Sequence, residues 1–147
     1  MRAALVTALM LAAPASCGTP TTPAPARVVV FTVETLTPQL EHIKKRVSLT
    51  ITAIQADGSV ANVTERGYTR PGPLELIIST PYRHAETLAP GVVAVSITVL
   101  YLGDKGDIVQ CVATVDDHEV DRDVVQVAVV GSGGRGSAKA HCAYAGG

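Results

Sequence analysis

Apolar and polar residues alternate along most of the chain after residue 27. The run 46–55 places Val47, Leu49, Ile51 and Ala53 on one side and Ser48, Thr50 and Thr52 on the other. A period of two is typical of a β-strand with one buried and one solvated face. The same alternation returns in residues 92–102 and 108–115, so the pattern predicts antiparallel β-structure for this part of the chain.

Turn signals divide the alternating runs into short strands. Asp57-Gly58 is a strong hairpin signal, and the Gly/Pro-rich or acidic stretches 67–73, 103–107 and 116–119 predict further turns. The predicted strands are Val28–Leu36, Arg46–Gln55, 60–65, 74–80, 92–102, Ile108–Val115, 120–130 and 138–144. Residues 37–45 are predicted to connect strands, and residues 82–90 to be irregular. Seven or eight short strands with regular turn spacing predict an all-β antiparallel sandwich.

The composition agrees with a β-rich core and excludes one class of partner. The chain is 47% hydrophobic but only 3% aromatic, without Trp, so the core must be built from Val, Ile, Leu and Ala. Its 12 basic and 13 acidic residues give a net charge of -1. A protein that neutralises phosphates needs a basic surplus, so we expect no nucleic-acid partner.

The N-terminal segment has the features of an export signal. Arg2 precedes residues 3–13, which are apolar apart from Thr7. Eleven helical residues rise about 16 Å, roughly half of the hydrocarbon core of a bilayer, which is the length of a signal-peptide h-region. We therefore predict a signal peptide over 1–16, a disordered tether over 17–26 that includes the Pro/Thr-rich stretch GTPTTPAPA, and one folded domain over 27–147.

The cleavage site has three interpretations. Residues 14–17 (PASC) resemble a bacterial lipobox, in which cleavage before Cys17 is followed by acylation of its thiol and new N-terminus. Ala13-Pro14-Ala15 is an ordinary A-x-A signal, and Ala24-Pro25-Ala26 is a more distant one. The first interpretation predicts a lipid anchor, such as palmitate, on the outer face of the plasma membrane. The other two predict a secreted protein.

The cysteine count favours a disulfide. The chain has three cysteines, Cys17, Cys111 and Cys142, an odd number for an exported protein. If Cys17 is acylated or removed with the leader, Cys111 and Cys142 remain to pair, both on inward-facing positions of predicted strands. A bridge closing about 30 residues stabilises a fold by roughly 3–4 kcal/mol. The alternative is two reduced, buried thiols.

The C-terminal half resembles the mycobacterial MmpS (membrane protein small) family. The resemblance is carried by residues 111–120 (CVATVDDHEV), 140–142 (AHC), 49–52 (LTIT) and the turn 57–58 (DG), and it covers about 46–144. It implies an Ig-like β-sandwich outside the plasma membrane. It also implies a role as accessory partner of an integral membrane transporter that exports lipids or siderophores.

Candidate chemical sites are weak. The densest polar cluster comprises Asp116, Asp117, His118, Glu119, Asp121 and Asp123. Carboxylates suit Ca²⁺, but the spacing differs from a Ca²⁺ loop, and a solvated hairpin turn is the preferred interpretation. The four histidines form no H-x-x-x-H pair, there is no G-x-S-x-G elbow, and the Gly-rich residues 131–136 lack a P-loop Lys. We therefore assign no catalytic residue, metal ligand or cofactor.

Two functions from different classes follow. The first is a non-enzymatic exported envelope lipoprotein, either an MmpS-like transporter accessory or a membrane-surface interaction module. The second is a secreted module that binds a small molecule or lipid, and an enzyme ranks third. A ligand module should have an apolar cavity in its core, whereas an accessory protein should have a filled core and an exposed apolar patch.

Overall fold

The computed structural model describes residues 26–129 and 133–146, and the predicted leader, Cys17 and nearly all of the tether lie outside these ranges. The described residues form twelve strands and no helix. The strands are β1 Val28–Leu36, β2 His42–Ile43, β3 Arg46–Gln55, β4 Val60–Ala61, β5 Val63–Glu65, β6 Tyr68–Arg70, β7 Leu74–Ser79, β8 Tyr82–Thr87, β9 Val92–Asp104, β10 Ile108–Val115, β11 His118–Gln126 and β12 Arg135–Ala145. Within the described ranges we find no helix able to cross a bilayer.

The predicted all-β fold is confirmed, with differences in detail. Eight of the described strands have six or more residues, and β1, β3 and β10 have the predicted bounds. The other four are short pieces of two or three residues, which include β2 and β6 in segments predicted as connections. The predicted strand 60–65 is divided between β4 and β5.

The prediction that residues 82–90 are irregular is wrong. Residues 82–87 form β8, which pairs with β1 over six residues. Its inward positions include His84 and Glu86, which are only 5% and 4% exposed. The strand lacks apolar alternation because two of its buried side chains are polar and bond each other, so a search for apolar periodicity misses it.

Two antiparallel sheets pack face to face. Sheet I has the order β11-β10-β1, with β8 and β2 both pairing the far side of β1. Sheet II has the order β12-β9-β3, with β7 and β4 both pairing the far side of β3. Strands β5 and β6 form a separate hairpin. Most connections therefore run between neighbouring strands or across from one sheet to the other, as in a sandwich.

Alternate residues of both sheets fill the space between them. The side chains that are no more than 2% exposed include Val29, Phe31, Val33, Leu49, Ile51, Ile97, Val99 and Val109. The disulfide between Cys111 on β10 and Cys142 on β12 crosses this core and joins sheet I to sheet II, with the two Cα atoms 6.0 Å apart. The predicted pairing is thus confirmed, in its cross-core form.

The two ends of the described domain meet at one pole of the sandwich. Arg27, just before β1, donates a hydrogen bond from Nη1 to the Tyr144 hydroxyl near the end of β12, at 2.6 Å. The turn between β10 and β11 lies at the same pole, because Val29 pairs with Val115. The connection between β1 and β2 lies at the opposite pole.

A buried phenol fixes the turn after β9. Tyr101 is 1% exposed, and its hydroxyl donates to Asp107 Oδ2 at 2.7 Å. Burial, followed by this hydrogen bond, raises the pKa of Tyr101 far above its ordinary value. Folding therefore favours the protonated phenol, and this contribution to stability is complete below the ordinary tyrosine pKa of about 10 and is lost as the pH rises through the higher folded-state value.

We expect the urea midpoint of the unmodified chain to fall more steeply above pH ~10 than that of Tyr101→Phe, which has no phenol to ionise at this position. Urea titrations across the alkaline range check this, with the midpoint at neutral pH as the reference for each protein. Parallel curves for the two proteins would contradict the role given to Tyr101.

Candidate functional site

The polar cluster predicted from sequence is divided between the turn before β11 and the two faces of β11. Asp116 and Asp117 have positive φ values of 50° and 62° and form a two-residue hairpin turn, because Val115 pairs directly with His118. Glu119 accepts two hydrogen bonds from Arg122, at 2.9 and 2.7 Å. These hydrogen bonds are the main reason that the pKa of Glu119 lies below its ordinary value. In the part of the chain that the structure describes, no three His, Cys, Asp or Glu side chains are grouped as metal ligands would be.

Asp121 and Asp123 point the other way, toward the edge of sheet II. Asp123 Oδ2 accepts a hydrogen bond from the backbone N–H of His141 at 2.9 Å, and Asp121 Oδ2 accepts one from the N–H of Ala143 at 2.8 Å. Both donors belong to β12, the edge strand of sheet II. The two carboxylates therefore occupy backbone positions that an added strand would use, a known way of protecting an edge.

Sequence reasoning missed this role because it treated a run of acids as a solvated turn. The role becomes visible in the strand register, in which Asp123 lies opposite Cys111, and Asp121 opposite Ala113, on β10. Acids that share a face with buried residues on a neighbouring strand are inward-pointing charges. At the edge of a sandwich such charges need backbone donors, and β12 supplies them.

We expect Asp121→Ala/Asp123→Ala to lower the free energy of unfolding by about 1–3 kcal/mol, because two charge-assisted hydrogen bonds are lost in a partly buried place. The amide hydrogens of His141 and Ala143 should exchange faster with solvent. The Asn variants at both positions keep an acceptor oxygen and should lose less. Unchanged exchange at His141 and Ala143 would show that the carboxylates do not protect this edge.

The outer face of sheet II, formed by the side chains of β3, β7, β9 and β12 that point away from sheet I, carries exposed apolar side chains among polar ones. Ile77, Leu100 and Leu102 are 67%, 42% and 68% exposed. The pairing register places Lys139, Leu100, Ser48 and Ile77 in one row across the four strands. A groove of about 700 Å³ runs along this row, and its lining residues include Thr50, Glu75, Leu76 and Thr98.

This outer face can bind an apolar surface but contains little reactive chemistry. His141 Nδ1 and the Thr98 hydroxyl are 3.0 Å apart on it, next to Lys139. Exposed apolar residues that share one face with polar residues mark contact surfaces on soluble domains.

A second unusual feature is the buried pair of His84 and Glu86 on β8. His84 Nε2 lies 2.9 Å from Glu86 Oε2, and both carboxylate oxygens also accept from the backbone N–H of Thr64, at 3.1 and 3.2 Å. Glu86 borders a small polar cavity of about 250 Å³. Through these bonds the pair connects β8 to β5.

The remaining residues considered from sequence are dispersed. His42 lies 3.7 Å from Glu34 at the surface, far along the chain from the His141–Thr98 contact. Residues 131 and 132 of the Gly-rich segment lie outside the described ranges, and β12 begins at Arg135, three residues before the predicted strand 138–144. The structure thus brings together Cys111 with Cys142, and Asp121 and Asp123 with β12.

Comparison with known proteins adds the fold alone. No protein-family model matches the chain. No curated protein matches it either. A solved structure, a domain of unknown function, DUF4425, from Bacteroides vulgatus, is similar with a TM-score of 0.54 and 12% sequence identity, over 82% of this chain and 96% of that one. At this identity the likeness supports the sandwich architecture and carries no activity.

Proposed function

We propose that the chain is a non-enzymatic exported protein of the cell envelope, anchored through an acylated Cys17, whose sandwich docks a membrane partner through the outer face of sheet II. The observation that carries the proposal is the exposed row containing Leu100, with Leu102 beside it, on a domain whose buried apolar side chains form one core cluster. A filled core and an exposed apolar patch distinguish a docking module from a carrier with an internal cavity.

The partner that fits the proposal is an extracytoplasmic segment of an integral membrane transporter, as the MmpS resemblance implies. The row that contains Leu100 ends at Lys139 on β12, and Glu75 on β7 lines the same groove. A partner segment with apolar residues between an acidic and a basic residue would complement this face. The disulfide supports the exported location, because such bonds persist in oxidising compartments.

The anchor is tested by intact-mass analysis of the mature chain and by fractionation in a bacterium with lipoprotein processing. We expect a mature N-terminus at Cys17 carrying acyl groups, and Cys17→Ser should move the protein from membranes to the soluble fraction. Pro14 stands where a lipobox has Leu, Val or Ile, so the mass also decides between the cleavage sites. A mature N-terminus at Ser16 or Arg27 would leave a secreted protein without the anchor.

Docking is tested with a photo-crosslinking residue at Leu100 in membranes of the native host. Identification of an integral membrane transporter at this position, and not with the same residue at Thr32 on the outer face of sheet I, supports the proposal. Equal products from both positions, or none, would contradict it.

A secreted ligand-binding module is the second candidate, and the groove of about 700 Å³ is the observation that favours it. This volume is in the range of small-molecule sites, roughly 300–1,000 Å³. The groove lies on the outside of one sheet rather than between the two, which favours a protein segment as occupant. Native mass spectrometry of the chain purified from its host would reveal a retained small molecule or lipid, and replacement of Leu100 by Glu should release it.

A further inference from the structure

One edge of sheet II is open. Thr80 N–H donates to Lys45 C=O at 2.8 Å, one step beyond the register of β3 and β7. Because backbone groups in an antiparallel pair alternate in direction, the N–H groups of Leu74, Leu76 and Ile78 point to β3. Those of Glu75, Ile77 and Ser79 point outward, along the free edge of β7.

The other edge of sheet II checks this alternation. Gly146 N–H donates to Val93 C=O at 2.9 Å, in register with β9 and β12, which places the N–H groups of His141 and Ala143 outward. These are the two groups that Asp123 and Asp121 accept from. The edges of sheet II therefore differ: carboxylates close β12, whereas no described strand or side chain bonds the outward N–H groups of β7.

The open edge is short and has an exposed apolar side chain at its centre. Proline has no N–H, so Pro73 and Pro81 on either side of β7 confine the outward donors to Glu75, Ile77 and Ser79. The Ile77 side chain at the centre is 67% exposed. An unpaired edge strand with an exposed β-branched residue is a template for another strand.

We propose that this edge binds the same edge of a second copy of the chain, through antiparallel pairing of the two β7 strands about a twofold axis at Ile77. In this register every outward residue meets an outward residue: Ile77 lies opposite Ile77 of the second copy, and Glu75 opposite its Ser79. The prolines fall opposite each other at the two ends of the pairing. The side chain of Ile77 is then covered, and the two Glu75 carboxylates are kept apart.

A second copy fits better than a longer or unlimited assembly. The pairing joins β12-β9-β3-β7 of each copy into one sheet of eight strands, and both ends of that sheet are β12 strands whose edges are closed by Asp121 and Asp123. A twofold contact of one patch with itself closes the assembly at two copies. In this register the row that contains Leu100 in one copy continues directly into the same row of the second copy.

The contact is a single pair of short strands, so we expect a weak dimer in solution. Sedimentation equilibrium on the full chain carrying Cys17→Ser, over concentrations extending to the millimolar, should detect it. Ile77→Lys should raise the dimer Kd by about tenfold or more, because it puts two ammonium groups face to face. Val124→Lys, a matched change at an exposed valine on the edge strand β11, should leave the Kd unchanged.

A charge exchange tests the register itself. Ser79→Glu places a second carboxylate opposite Glu75 and should weaken the dimer. Glu75→Lys/Ser79→Glu then places Lys opposite Glu at both ends and should restore it. Circular dichroism confirms that each variant is folded, and these exposed sites make unfolding an unexpected result.

A chain that stays monomeric at all concentrations would overturn the proposal, as would a dimer indifferent to Ile77→Lys and Ser79→Glu. A monomer whose Ile77 amide becomes protected only on addition of another protein assigns the edge to that protein, and likewise overturns it. The experiment uses no membrane, so its failure is distinct from failure of the crosslink at Leu100.

Discussion

Loss of the Cys111–Cys142 disulfide is expected to lower the free energy of unfolding by about 2–5 kcal/mol. The bridge spans 31 positions of the chain and connects strands that belong to different sheets. The main cause is entropic, since the unfolded chain regains the freedom that the closed loop removed. Both sulfur atoms are also fully buried, so replacement of either cysteine adds a packing cost.

The measurement is a urea titration of the unmodified chain, oxidised and fully reduced, with the redox state verified by thiol alkylation. Cys111→Ala/Cys142→Ala serves as the control, because it should resemble the reduced protein and show no response to reductant. An oxidised and a reduced chain with the same urea midpoint would contradict the prediction. Any effect on docking should follow the folded fraction, because neither cysteine has the C-x-x-C spacing of a redox-active pair.

Glu86→Ala is expected to lower the free energy of unfolding by about 2–5 kcal/mol. This single substitution of a buried residue should therefore cost about as much as loss of the disulfide. The substitution leaves the His84 ring buried without its partner, and it removes the acceptor of the Thr64 N–H that ties β5 to β8. The His84 ring and the Thr64 N–H thus both lose a hydrogen bond, and each unsatisfied group adds to the cost.

Urea titration at neutral pH measures the loss, and amide exchange at Thr64 locates it. Glu86→Gln keeps one acceptor oxygen and should cost less than Glu86→Ala, whereas Glu41→Ala, at an exposed carboxylate, should stay within about 0.5 kcal/mol of the unmodified chain. Equal stability of Glu86→Ala and Glu41→Ala would show that the pair contributes nothing to the fold.

Strand prediction succeeded where apolar residues alone decide which face is buried. β1, β3 and β10 have the predicted bounds, and nearly all of their buried side chains are apolar. β8 was missed because His84 and Glu86 satisfy each other inside the core. The short β2 and β6 have no pattern of their own and exist through their neighbours, so a local periodicity cannot reveal them.

The candidate sites divide in the same way. The pairing of Cys111 with Cys142 was predicted from the odd number of cysteines and from the inward-facing position of each cysteine on its own strand. The function of Asp121 and Asp123 depends on β12, which lies 18 to 22 residues later in the chain and in the other sheet. The open edge of β7 likewise depends on which strands pair with β3, and sequence alternation contains no information about that choice.

The hydrogen bond between Arg27 and Tyr144 brings the two ends of the domain close together, so the fold can accommodate a circular permutation. Because both ends of the domain lie at one pole, a short linker could join residue 146 to residue 27, and the chain could be opened in the exposed connection between β1 and β2 at the other pole. Such a circular permutant keeps each strand and the disulfide. If the tether is attached to the new N-terminus, the opposite pole of the sandwich would face the membrane.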